Sequence, residues 1–172
     1  MIELLPDEKI VLLRRKHWFT ITTEAMVVFA LAFAPLMLII ASLFLFPESV
    51  EVLSLYIPFI IFYGSIWLQF LWMFFFISWT NYYLDVFVVT NKRIIDIEQI
   101  GLFSRDIAEL RLENIQDVKV EVLGFAQSLL KMGNLHIQTA GKDKEIYLRD
   151  IPNVYQVKEA ISKCHDQALS KT

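Results

Sequence analysis

Two long stretches of this chain carry no charged residue. One runs Ala25–Phe46, between Glu24 and Glu48, and the other runs Val52–Leu84, between Glu51 and Asp85. A helix rises about 1.5 Å per residue, so roughly 20 apolar residues cross the ~30 Å hydrocarbon core of a bilayer. Each stretch is long enough, and together they predict a transmembrane helical hairpin with spans at about 25–46 and 56–79. In a soluble protein the remaining ~90 residues would have to cover two helices that are apolar all round, and they are too few. Pro35 lies in the first span, where a proline is tolerated but frees a backbone carbonyl. Gln69, Ser42, Ser65 and a few tyrosines are nearly all the polar groups at membrane depth. A permeation path needs more than that, so the pair reads as an anchor, or as helices that associate with further copies.

Charge and aromatic residues orient the hairpin. Arg14, Arg15 and Lys16 precede the first span, Lys92 and Arg93 follow the second, and the short connection Pro47–Leu55 carries Glu48 and Glu51 but no Lys or Arg. Cytoplasmic flanks are enriched in Lys and Arg, so both termini are expected inside. Trp18 and Trp79 fit an aromatic belt at that same inner surface, in line with Phe19, Tyr82 and Tyr83. Leu12 and Leu13 read as an amphipathic entry segment lying in the interface. The resulting division is a basic, aromatic juxtamembrane segment at 1–18, the hairpin at 19–80 and a folded domain at 81–172. The first apolar run is too long for a signal core and is followed by a second span, so no cleavable signal is expected.

The domain at 81–172 is close to neutral, with 12 Lys and Arg against 13 Asp and Glu. Nucleic-acid binding needs clustered cations and is not expected. The one cysteine, Cys164, excludes an intramolecular disulfide, and no zinc-type Cys/His spacing occurs.

Beyond Trp79 the hydrophobic period changes from helical to two. Tyr82–Thr90 is rich in aromatic and β-branched residues and predicts a strand. Asn91-Lys92 signals a two-residue turn, since Asn accepts positive φ. Strands follow at Arg93–Gln99 and Ser104–Leu112, joined by a turn at Ile100-Gly101-Leu102. Val118, Val120 and Val122 alternate with Asp117, Lys119 and Glu121, so that strand has one buried and one wet face. Gly124–Gly133 interrupts the strands with a short helical turn, in which Phe125, Leu129 and Met132 fall at near-helical spacing; with Leu130 they are expected to cap the open end of the domain, the alternative being an exposed contact for lipid or a partner. Leu135–Thr139 and Glu145–Arg149 alternate again around a turn at Gly141–Lys144. Asn153 with Gln156 predicts a capping box, and Val154, Val157, Ala160, Ile161, Cys164 and Ala168 form the apolar stripe of a closing helix. The fold class expected is an α+β membrane protein: a helical hairpin, then six or seven antiparallel strands in a small β-barrel or sandwich closed by a C-terminal amphipathic helix.

The chain resembles the bacterial pleckstrin-homology (PH)-like membrane proteins. The resemblance rests on Arg14-Arg15-Lys16-His17-Trp18, on Tyr83 to Ile97 with its Thr90-Asn91-Lys92-Arg93 hairpin, on Gly101-Leu102-Phe103-Ser104-Arg105, on Glu113 to Val118, and on Gln138-Thr139-Ala140-Gly141. It implies two near-orthogonal sheets closed by a C-terminal helix. With Asn91-Lys92 taken as the connection between the first two strands, no long basic loop is available to wrap an inositol polyphosphate.

Chemistry is less visible. His17, His136 and His165 fall in three different elements, and Cys164 and His165 point about 100° apart on a helix, so no nucleophile–base pair is defined. No Gly-rich phosphate loop is present, no cofactor or metal is called for, and no enzymatic activity is expected. The expected function is a membrane-anchored interaction module that binds a protein partner or self-assembles, with exposed strand edges open to strand addition. The rival is a sensor of anionic lipid through Arg14, Arg15, Lys16, Lys92 and Arg93, each cation near an anionic surface contributing about 1 kcal/mol.

Overall fold

The structure is a computed structural model, and it describes residues 4–139 and 145–169. The Gly141–Lys144 turn lies outside them. The chain divides into two compact units, Ile21–Trp79 and the pair of segments Met1–Thr20 with Thr80–Thr172.

The first unit is built from two helices, α1 (Trp18–Leu45) and α2 (Ser49–Leu84), whose ends run into the second unit. Both are long and apolar enough to cross a membrane. Ile21 is the one buried residue of α1, while Phe29, Met37, Phe59, Phe70 and Trp72 are all exposed. Pro35 cannot donate to Leu31, four residues back, so the Leu31 carbonyl lacks its helical partner. The indole N–H of Trp67 takes its place at 3.2 Å, tying α2 to α1. Ser42 and Ser65 return their hydroxyls to the carbonyls of Ile39 and Phe62.

Among the described residues the second unit holds seven strands in two antiparallel sheets. The first sheet has the order β1-β2-β3-β4, from Ile10–Arg14, Val86–Thr90, Arg93–Ile100 and Ser104–Arg111. The second has the order β5-β6-β7, from Ile115–Glu121, Met132–Thr139 and Ile146–Pro152. A single 3₁₀ turn at Leu112–Asn114 joins them, α3 (Gly124–Leu129) links β5 to β6, and α4 (Val154–Leu169) closes the chain. The sheets stay separate, so the barrel alternative is corrected to two open layers.

One core runs between the layers. Phe87, Val89, Ile94 and Leu110 face it from the first sheet, Val118, Leu135, Ile137 and Leu148 from the second, and Val154, Val157, Ile161 and Cys164 from α4. The predicted stripe of α4 is thus the buried one. Burial also pushes the Cys164 thiol up, which keeps it a packed, unreactive group. A smaller cluster, Val88, Ile95 and Ile97, occupies the opposite face of the first sheet.

The structure corrects several expectations. Residues 82–84 continue α2, and the strand begins only at Val86. Leu12 and Leu13 belong to β1, paired with Val89 and Val88, and Leu12 packs against the core. The first two strands are therefore β1 and β2, and the connection between them is the whole helical pair. Asn91-Lys92 instead joins β2 to β3. Asn153 adopts φ 51°, outside the extended range of an N-cap. Its carbonyl accepts the N–H groups of Gln156 and Val157, and its value at this position is tolerance of the left-handed region.

Candidate functional site

The Thr90-Asn91-Lys92-Arg93 hairpin grips the N-terminal segment. A turn at Leu5–Glu8, with Asp7 at φ 62°, brings Glu8 beneath it. The Glu8 side chain is fully buried and receives a fork from Arg93, Nε at 3.0 Å and Nη2 at 3.1 Å. It also accepts the Thr90 hydroxyl at 2.8 Å and the Leu5 N–H at 2.7 Å. Burial alone would raise this carboxyl, but the bonds from Arg93, Leu5 and Thr90 outweigh it and hold Glu8 below the usual carboxylate range. Arg93 reaches Glu109 as well, at 2.6 Å. Asn91 accepts from the Lys9 N–H at 2.8 Å and donates to the Asp7 carbonyl at 3.1 Å, and Lys92 Nζ donates to the Pro6 carbonyl at 2.7 Å. Lys92 and Arg93 are therefore committed to holding β1 and its approach in place.

Arg14, Arg15 and Lys16 are at the other end of β1. They line a cleft of about 270 Å³ together with Asp85, Asp96 and Glu98 and, from β7, Tyr147 and Arg149. Lys16 Nζ lies 2.6 Å from Asp85 and 3.8 Å from Glu98. The Arg15 guanidinium stacks 4.6 Å over the Tyr83 ring, and Arg149 lies 5.4 Å over Tyr147. Among the described residues, neither Arg14 nor Arg149 has a carboxylate within ion-pair range. The cleft thus carries both signs of charge, four cations facing three carboxylates.

Asp96 is the perturbed acid of this cleft. Burial, aided by Glu98 and Asp85 and opposed by Lys16, pushes its pKa from 3.8 up to about 6. A raised carboxyl favours the folded state least when ionised, so the penalty is absent below about pH 4 and complete above pH 6. The shift corresponds to at most about 3 kcal/mol, reduced to about 1–2 kcal/mol because the group is partly exposed. Asp96→Asn should stabilise the purified protein by that amount at pH 8 and leave it unchanged at pH 4. An equal gain in thermal unfolding at both pH values would contradict this assignment.

The three histidines do not converge. His17 Nδ1 accepts the Phe19 N–H at the start of α1, and burial lowers its pKa, which leaves three fixed cations in the basic run. His136 faces Glu145 at 2.9 Å, and His165 contacts the Leu112 carbonyl at 2.7 Å. Trp18 and Trp79 are both about half exposed. Of the residues expected as a cap, Met132 is buried and Leu130 partly buried, while Phe125 and Leu129 lie outside the core at 81% and 68% exposure.

Two open antiparallel layers closed by one helix, with the charged cleft at the β1 and β7 edges, define a PH-like module. The chain matches the Bacterial PH domain model over residues 21–164 and belongs to that family. Among solved structures it is similar to a DUF1696 family protein with a pleckstrin-homology domain from Shewanella loihica PV-4. That match is 21% identical, covers 47% of this chain and 70% of that one, and has a TM-score of 0.39. A pleckstrin homology domain from Shewanella amazonensis SB2B is 20% identical over 47% of this chain and 66% of its own, also at 0.39. No curated protein matches the chain.

Proposed function

We propose that this chain is a two-helix membrane anchor carrying a PH-like interaction module, and that the module receives a protein partner in the cleft beside β1. In this reading α1 and α2 span the cytoplasmic membrane, both termini and the module face the cytoplasm, and Trp18 and Trp79 lie at the inner interface. Support for the anchor comes from the helices themselves. At about 1.5 Å per residue their 28 and 36 residues run well past the ~30 Å hydrocarbon core, with apolar side chains exposed on every side. In water such a surface would aggregate. Resistance to carbonate extraction, with the C-terminus protected from external protease in sealed cells, is the expected result. Release by carbonate would overturn the anchor.

The partner reading rests on the mixed charge of the cleft. A polyphosphate reader needs a cationic bowl, whereas Asp85, Asp96 and Glu98 offset the arginines and suit a partner bearing both charges. The edges of the first sheet are less inviting: β1 carries a bulge between Ile10 and Leu12, and β4 is lined by charge, both devices that blunt strand addition. A photo-crosslinking residue at Glu98, on the cleft lip, should capture one protein in cells, and Arg149→Glu should abolish the adduct without unfolding the module. Capture unaffected by Arg149→Glu, or no capture at all, would sink the partner reading.

A second reading is favoured by Arg14 and Arg149, which with Arg15 are the cleft cations that have no carboxylate within ion-pair range among the described residues. An anionic lipid headgroup bridging them should survive as an adduct in native mass spectrometry. Arg14→Ala with Arg149→Ala should then weaken it roughly 30-fold, from about 1 kcal/mol per cation.

A further inference from the structure

The two most exposed apolar side chains of the PH-like unit among the described residues, Phe103 and Phe125, are on two separate protrusions, and both protrusions are tied to the points where the chain passes into its apolar helices. The β3–β4 turn places Ile100, Leu102 and Phe103 around Gly101, with Phe103 99% exposed. Val86 starts β2 opposite Ile97, while β3 and β4 pair on to Ile100 and Ser104. At about 3.3 Å per residue the turn therefore overhangs the sheet by roughly 10 Å, at the end where α2 gives way to β2. Asp85, the residue between α2 and β2, accepts the Gln99 N–H at 2.6 Å and binds Lys16 just ahead of α1. Gln99 in turn donates to the Gly101 carbonyl and accepts from Arg105, which stiffens the turn.

The second protrusion is α3, with Leu123, Phe125 and Leu129 all exposed. Gln127 accepts the Leu123 N–H and donates to Asp150 at 3.2 Å. Asp150 also accepts the Thr20 hydroxyl at 3.2 Å, and its carbonyl accepts the His17 N–H at 2.8 Å. Each protrusion thus reaches a chain crossing through one aspartate.

We propose that these two apolar prongs, Ile100/Leu102/Phe103 and Leu123/Phe125/Leu129, insert into the bilayer interface and seat the module on the membrane in one orientation. The inference rests on the reading of α1 and α2 as membrane spans, because connectivity then brings this end of the unit to the lipid. A water-facing protein has little reason to hold two phenylalanines at hairpin and helix tips, whereas an interface accepts aromatic and aliphatic side chains beside a polar backbone. Such seating would hold the charged cleft at the membrane surface without any conformational change.

The test is site-specific labelling of the full chain in nanodiscs, in a Cys164→Ala background, with a polarity-sensitive fluorophore at Phe103→Cys or Phe125→Cys. Controls sit at Glu113→Cys, by the Lys92 end of the sheet, and at Phe70→Cys within α2. Both sites are exposed, so labelling leaves the core intact. Labels at 103 and 125 should emit blue-shifted and lose most of their intensity to lipids carrying a shallow doxyl quencher, while the label at 113 stays unquenched. If 103 and 125 behave like 113 while the Phe70 label is quenched by deep doxyl lipid, the prongs fail and the anchor stands. If the Phe70 label also escapes quenching, the anchor itself fails. Blue-shifted emission at 103 and 125 that lipid quenchers do not touch would mean that a protein surface covers them, and would equally overturn the proposal.

Discussion

Arg93→Met should destabilise the PH-like module by about 3–5 kcal/mol, the range for breaking a buried ion pair by removing one partner. The Glu8 side chain has no exposure and the Arg93 side chain only 14%, so the carboxylate left behind could not be rehydrated without opening the segment above it. The loss should appear as a large drop in the thermal midpoint of the detergent-solubilised protein, and as faster amide exchange over Ile10–Arg14, because Glu8 anchors the approach to β1. The double replacement Glu8→Met with Arg93→Met should recover most of the loss, since an apolar pair of similar volume removes both desolvation costs. The pair also has a pH signature. Glu8 titrates below its ordinary value, so its contribution is present above the unfolded pKa and lost as pH falls through the lower, folded one. Acid should therefore narrow the gap between the wild type and Arg93→Met, and the double variant should lack this Glu8 contribution to its pH dependence. A double replacement that costs as much as Arg93→Met and Glu8→Met added together would show that the pair contributes no net coupling.

Much of the architecture was legible because it is written in local periodicity. Charge-free runs identified α1 and α2, strict alternation identified β5, and the stripe from Val154 to Ala168 identified both α4 and its buried face. β1 escaped for two reasons. Its bulge disrupts alternation in Ile10-Val11-Leu12-Leu13, and its partner β2 lies more than 70 residues away, beyond both apolar helices. That omission shifted the reading of the Thr90–Arg93 motif. Next to an apolar hairpin, Lys92 and Arg93 look like free cations at a surface, and only the long-range return of Glu8 reveals them as clamps. The α3 residues failed differently, because helical spacing of Phe125 and Leu129 indicates a common face but not whether anything covers it. Of the cleft, Arg14, Arg15 and Lys16 stood out as the densest basic run. Arg149 and Asp96 did not, since they come from β7 and β3 and meet only when the two sheets pack.

Asp85→Ala should cost about 2–4 kcal/mol, and most of that should come from one backbone group. Asp85 is nearly buried and its Oδ1 accepts the N–H of Gln99, itself 7% exposed, at 2.6 Å. Removing the acceptor leaves that donor buried and unpaired, which is the expensive half of a lost hydrogen bond. Lys16 is 29% exposed and can rehydrate, so the broken ion pair adds less. Asp85→Asn separates the two contributions: it keeps an acceptor for Gln99 while discharging the partner of Lys16, and should cost only about 1 kcal/mol. Amide exchange would report the site directly. In Asp85→Ala the Gln99–Arg105 turn should lose protection well before the core strands β5 and β6, and in Asp85→Asn it should not. Equal losses for Ala and Asn would assign the stability to charge alone. An unperturbed turn in Asp85→Ala would mean that the link between the α2–β2 junction and the β3–β4 tip does not hold that tip in place.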